Sequence, residues 1–175
     1  MKYTICLALA VLISTASAFT QDIKAPDYSA YILTPKAPDT PRINGPKVCG
    51  GRPGADFLYR IPATGVRPMT FAVDGLPKGL KLDESTGIIT GKIKKAGTYV
   101  VTLKARNELG TNEKQLRIII GDRVALTPPL GWNSWNCWGN SVSQELVESS
   151  AKAMVESGLA DYGWSYVNID DGWQG

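Results

Sequence analysis

PPLGWNSWNCWG at residues 128–139, SQELVESSAKAMVESG at 143–158 and WSYVNIDD at 164–171 read in succession as strand, helix and strand. Two prolines stiffen the entry, and 130–135 form an aromatic-rich strand that runs into a loop at 137–140. Ser141 and Gln144 have the spacing of a capping box, with the Ser143 hydroxyl as an alternative cap. The helix that follows places Leu146, Val147, Ala151, Met154 and Val155 on one stripe and sets Glu148 four residues before Lys152 on the other side. Gly158 stops it. Over 164–171 the residues alternate, with Trp164, Tyr166, Asn168 and Asp170 on one side and Ser165, Val167, Ile169 and Asp171 on the other. Two strands joined through a helix of this length are most simply parallel, in a right-handed βαβ unit. In a β/α barrel the active site forms at the C-terminal ends of such strands, where residues 132–136 and 170–173 both fall.

Outward from this block, residues 123–127 are a short join, and a boundary near 122 separates it from a different pattern. Residues 47–122 carry short apolar runs between Gly, Pro and Asp, with strand-like pieces at 57–61, 69–73, 87–90, 99–105 and 115–120. Turn signals at Pro53-Gly54, Asp74-Gly75, Pro77-Lys78-Gly79, Thr86-Gly87 and Leu109-Gly110 recur at spacings that fit an all-β sandwich. In the piece 99–105, Tyr99, Val101, Leu103 and Ala105 face one way and Val100, Thr102 and Lys104 the other, so one face is core. Residues 19–46, with five prolines and few large apolar side chains, read as a linker or arm. Residues 1–18 read as a signal peptide: Lys2, an apolar run at 5–13 and Ala16-Ser17-Ala18 in the A-x-A form, with cleavage expected after Ala18. The run is short of the ~20 apolar residues that span a bilayer. The expected localisation is secreted or periplasmic.

Composition narrows the chemistry. With 43% hydrophobic and 20% charged residues the chain is globular in character. A net charge of +3, or +2 once Lys2 is removed, gives no reason to propose nucleic acid as the partner. Histidine is absent, which excludes within this chain a Ser-His-Asp triad, a Cys-His pair and imidazole metal ligation. No residue cluster suggests a metal or organic cofactor. Beyond Cys6, the cysteines are Cys49 and Cys137, which an oxidising compartment would allow to pair without requiring it. The oligomeric state is not legible.

All five tryptophans lie between Trp132 and Trp173, beside the adjacent Asp170 and Asp171. Indole faces pack on the apolar faces of sugar rings, and ionised carboxylates accept hydrogen bonds from sugar hydroxyls. The block therefore reads as a carbohydrate site, although Asp170-Asp171-Gly172 is also a good turn sequence by itself and Trp135, Trp138 and Trp164 suit packing roles. Asp170 and Asp171 are not an acid/base pair. Neighbouring side chains on a strand point to opposite faces, whereas a retaining glycosidase needs its carboxyls ~5–5.5 Å apart across one bond.

The residues Thr127–Asn136 (TPPLGWNSWN) and Ser157–Trp173 (SGLADYGWSYVNIDDGW) closely resemble the start of the catalytic barrel of family 27 glycoside hydrolases, the α-galactosidases and α-N-acetylgalactosaminidases. The resemblance implies that Trp132 packs against galactose and that Asp170 and Asp171 accept hydrogen bonds from its 4- and 6-hydroxyls. It implies too that the catalytic carboxylates come from later strands, about the fourth and sixth, so that they are expected beyond Gly175 and no catalytic residue falls within the chain. Many relatives have a cysteine where Gly172 stands, paired to one near the first strand, which leaves Cys137 unpaired here. The stretch GLPKGLKLDESTGIITGKIKKAGTYVVTLKARNELG at 75–110 resembles the immunoglobulin-like domain often appended to secreted bacterial enzymes. The expected architecture is thus multidomain: an all-β immunoglobulin-like sandwich (47–122), then the first βαβ unit of a truncated (β/α)8 TIM barrel (123–175). The expected function is a secreted retaining hydrolase releasing terminal α-linked galactose from an α-galactoside saccharide, with this chain an N-terminal fragment inactive alone. The alternative is a non-catalytic exported carbohydrate-binding or adhesion protein built on the immunoglobulin-like domain.

Overall fold

The computed structural model describes residues 29–31, 35–123 and 125–174. The chain divides into two units between Pro35 and Lys36, and among the described residues of the first a 3₁₀ turn spans Ser29–Tyr31. Two expectations fall outside the described residues: the signal peptide with its cleavage after Ala18, and the catalytic carboxylates expected beyond Gly175, a residue that is itself not described.

The second unit begins with nine strands: β1 (Arg42–Ile43), β2 (Val48–Gly51), β3 (Asp56–Arg60), β4 (Ala63–Thr64), β5 (Thr70–Asp74), β6 (Leu80–Asp83), β7 (Ile88–Lys92), β8 (Gly97–Asn107) and β9 (Gly110–Ile120). One sheet has the order β2-β9-β8-β5 and the other β3-β7-β6, with β1 and β4 paired beside them. The long hairpin β8–β9 is antiparallel from Gly97↔Ile120 to Asn107↔Gly110, while β2 runs parallel to β9. Period-two alternation makes the core: Val101, Leu103 and Ala105 of β8 and Leu116, Ile118 and Ile120 of β9 are buried with Phe57, Leu80 and Ile89 of the facing sheet. Each of the valine, leucine, isoleucine and phenylalanine side chains contributes about 1.5–3 kcal/mol on burial.

The five strands expected from the sequence are present, four with ends shifted by one or two residues and β9 starting five residues earlier at Gly110, and β1, β2, β4 and β6 are additions. The proline-rich stretch is not linker throughout. Ile43 is buried in the core, and the Asn107 side chain donates to the Asp39 carbonyl at 2.9 Å and the Val66 carbonyl at 3.1 Å. Between β6 and β7 the turn is set by Asp83, whose Oδ1 accepts from the Ser85 hydroxyl (2.6 Å) and from the amides of Ser85 (2.9 Å) and Thr86 (3.2 Å). Those bonds, the Ser85 hydroxyl first, hold its carboxyl below the ordinary range.

The strand, helix, strand block follows as β10 (Gly131–Asn133), a short helix α1 (Trp135–Trp138), α2 (Gln144–Glu156) and β11 (Tyr166–Asn168). Both strands are shorter than expected, and β10 ends early because the backbone turns helical at Ser134 (φ −72°, ψ −30°). Of the two possible caps, α2 uses Ser143, whose hydroxyl accepts from the Leu146 amide at 3.4 Å; Ser141 lies in a 3₁₀ turn before it. Lys152 pairs with Glu156 at 3.7 Å, and Glu148 instead accepts from Gln144 at 2.8 Å. Gly158 adopts the left-handed φ of +81° that ends the helix. Trp135, Trp138 and Trp164, which suit packing roles, are all exposed.

The block docks on the sandwich at one corner. In the 3₁₀ turn Leu159–Tyr162, Asp161 Oδ1 accepts from Arg60 Nη2 at 2.7 Å and from Arg67 Nη2 at 3.1 Å. Asn44 Nδ2 donates to the Asp161 carbonyl at 2.9 Å. Gly163, at φ +101°, lies so near Gly45 that an added Cβ would stand 3.2 Å from its Cα.

Candidate functional site

Strands β10 and β11 are parallel, with Gly131 opposite Tyr166, Trp132 opposite Val167 and Asn133 opposite Asn168. A parallel pair puts both C-terminal ends on one edge, so the chain segments leaving the two strands, 134–140 and 169–174, emerge together. Gly131 is required for this approach, because a Cβ there would collide with the Tyr166 carbonyl oxygen. Trp132 shares a sheet face with Val167, and Asp170 begins the turn two residues after the last paired residue. The two motifs thus meet at one edge although 38 positions separate Trp132 from Asp170.

Ser134 ties that edge together. It is fully buried. Its amide donates to the Asn168 carbonyl at 3.1 Å, and its carbonyl accepts from the amides of Cys137 (3.1 Å) and Trp138 (2.9 Å). Its hydroxyl accepts from the Asp170 amide at 2.9 Å. Beside it, Asn133 Oδ1 accepts from the Trp135 amide at 3.0 Å, at the start of the short helix.

Trp132 is half-buried, and its indole Nε1 donates to Cys137 Sγ at 3.3 Å. Asp170 and Asp171 are exposed. Asp170 Oδ1 accepts from the Asp171 amide and Asp171 Oδ1 from the Gly172 amide, both at 2.8 Å, so each carboxylate folds onto the turn with one oxygen. Among the described residues the second oxygen of each has no protein donor. Such an arrangement can accept hydrogen bonds from a ligand's hydroxyls. It does not hold two carboxyls on opposite sides of a scissile bond. Gly172, at φ +89°, packs against Asn140, where a Cβ would stand 3.0 Å from the amide oxygen. A side chain at 172 is therefore disfavoured both by backbone strain and by space.

Cys49 and Cys137 are both unbridged. Cys137 is exposed, whereas burial pushes the Cys49 thiol up to about 12. Among the described residues no group of three His, Cys, Asp or Glu side chains could hold a metal ion, and no helix is long and apolar enough to cross a membrane.

Trp132, Asp170 and Asp171 stand out in the sequence, whereas the contacts of Ser134, Cys137 and Asp161 do not. Ser134 carried a weak signal, a small polar residue between Trp132 and Trp135 at a strand end. Asp161 carried none, because its arginine partners lie 101 and 94 positions away.

A family model described as "Putative Ig domain" matches residues 12–120. The chain is 42% identical over 64 residues to an alpha-galactosidase of Coffea arabica, covering 37% of this chain and 17% of the coffee protein. A crystal structure from Bacteroides fragilis NCTC 9343 described as "a putative alpha-galactosidase" is similar with a TM-score of 0.76 and 48% identity, over 81% of this chain and 30% of that one. A second from the same organism, described as "a putative alpha-galactosidase/melibiase", has a TM-score of 0.74 and 53% identity over 77% and 29% of the two chains. The chain spans less than a third of the length of these relatives. It belongs to the family described as "Putative Ig domain", and it is similar to α-galactosidases over the stretches given above.

Proposed function

We propose that this chain is the N-terminal part of a secreted or periplasmic retaining α-galactosidase and supplies part of its sugar pocket. On this reading the indole of Trp132 packs on the apolar face of a terminal galactose, and Asp170 and Asp171 accept hydrogen bonds from its 4- and 6-hydroxyls. The substrate is an α-galactoside saccharide. The single observation that carries the reading is the parallel pairing of β10 with β11, which brings a tryptophan and two exposed carboxylates from distant parts of the sequence to one edge.

The same geometry favours recognition over catalysis for these residues. Adjacent carboxylates folded onto one turn suit binding of neighbouring hydroxyls, and the nucleophile and acid/base are assigned to later strands, beyond Gly175, of a (β/α)8 barrel begun by β10, α2 and β11. Sparse burial of the block supports this, since parallel barrel strands are covered on both faces when complete. The sandwich then serves as a docked support. It carries no tryptophan that could stack on a sugar.

The test is turnover of an aryl α-galactoside by the full-length protein. Trp132→Ala and Asp170→Asn should each lower kcat/KM by about a hundredfold, equal to about 2.7 kcal/mol, with the folded state intact by circular dichroism. Wild-type rates in both folded variants would end the assignment. Turnover by a protein comprising these 175 residues alone would contradict the placement of the catalytic carboxylates elsewhere.

A further inference from the structure

We propose that the Ser134 hydroxyl is the positioning group that locks the Asp170 turn to the Trp132 strand, so that sugar affinity depends on a side chain that never touches sugar. The inference rests on the sugar-pocket reading above and adds to it a residue that local sequence logic assigns to no role.

In a parallel pair with Asn133 opposite Asn168, the next residue should donate its amide to the Asn168 carbonyl and accept with its own carbonyl from the Asp170 amide. The first of these bonds is present at 3.1 Å. The second cannot form, because the backbone turns helical at Ser134 and its carbonyl is directed to the amides of Cys137 and Trp138. An amide at Asp170 would be left without its ladder partner. The Ser134 hydroxyl takes the carbonyl's place and accepts from that amide at 2.9 Å. One residue therefore lets β10, which carries Trp132, turn away into α1, while its neighbour strand continues in register to Asp170. Ser134 is also sealed from solvent, so water is not at hand to substitute for the missing oxygen. The hydroxyl of Ser143 or Ser149 has no such task, each being local to its own helix.

Two measurements test this, and they fail separately. The first needs no activity: hydrogen exchange of the Asp170 amide in the chain itself. Ser134→Ala should speed its exchange at least about tenfold, corresponding to about 1.4 kcal/mol, while the Gly172 amide, bonded to Asp171, is unchanged. Equal Asp170 exchange in wild type and variant would overturn the proposal. The second is kinetics of the full-length protein on an aryl α-galactoside with galactose as competitor. Ser134→Ala should raise KM and the galactose inhibition constant together by about tenfold, with kcat moving less than about threefold and an unshifted pH profile. A fall in kcat alone would mark Ser134 as a general structural residue and overturn the positioning role. Should the alanine variant fail to fold, Ser134→Cys keeps the volume with a weaker acceptor and should give an intermediate KM; a wild-type KM there overturns the proposal. Absence of galactoside turnover in wild type would refute the proposed function, and the exchange measurement would still decide whether Ser134 holds the turn.

Discussion

In the sandwich, Ile61, Ile89, Leu103, Leu116 and Ile118 are nearly sealed from solvent, whereas in the block that follows Tyr166 is 53% exposed, Ile169 52% and Trp173 66%. The same kinds of residue are used in both places and only one set is covered. Two facing sheets give each other's alternating side chains a partner surface. The parallel pair β10–β11 with α1 and α2 does not, and among the described residues of the block only Ser134 and Met154 are buried. The sandwich is thus stabilised by its own core, and the block is held by backbone pairing and by the polar contacts of Asp161. On the proposed function, further strands of the same protein cover the exposed faces. The contrast separates residues that determine stability from residues that present chemistry.

That contrast can be broken or sharpened by experiment. The largest expected effect concerns Cys49, whose thiol burial pushes from an ordinary value of 9.0 to about 12. At pH 8 it should react with a thiol reagent roughly a thousandfold more slowly than in the denatured chain, since the thiolate is the reactive form. Exposed Cys137 should label at once. The sign of the linked stability follows: the folded chain keeps a proton that the unfolded chain releases near pH 9, so this contribution is whole below pH 9 and is lost as pH rises towards 12. Equal labelling rates for the two cysteines in native protein would contradict the packing of β2 against the core.

Next in size, Leu116→Ala should destabilise the sandwich by about 2–5 kcal/mol in urea unfolding. Its counterpart in the block, Val155→Ala, should change stability by less than about 0.5 kcal/mol, because Val155 stands largely in solvent. Comparable losses from both would erase the distinction between the regions. Asp161→Asn should cost about 1 kcal/mol, given two arginine partners that are themselves partly exposed. Its clearer signature is faster proteolysis within 164–174 while the sandwich stays resistant, and added salt should bring the wild type part of the way there. Unchanged proteolysis would show that the block is held by other contacts.

Much of this division is legible in the sequence because it depends on periodicity. Alternation along β8 and β9 and the glycine-bearing turns point to the sandwich, and the apolar stripe of α2 with Gly158 at its end points to the helix. Strands β1 and β4, two residues each, are too short to show a period, and β2 contains two glycines, which weaken any strand signal. Leu80 and Leu82 of β6 do alternate with Lys81 and Asp83, but the glycine and proline signals beside them read as turn. Ile43 is hidden among prolines, and its burial follows from pairing with Ala63, 20 positions away. The site divides in the same way. Trp132 and the aspartates belong to compact motifs, whereas the Ser134 hydroxyl and the Asp161 carboxylate act on partners 36 and about a hundred positions distant. No local pattern records such contacts.

The most direct test of the central claim is the affinity of the full-length protein for galactose, measured for wild type, Trp132→Ala, Asp170→Asn and the double variant. A shared hexose site predicts that each single change weakens binding at least about tenfold and that the two effects are not additive, because both groups hold one ligand. Galactose affinity equal to wild type in either folded single variant would contradict it.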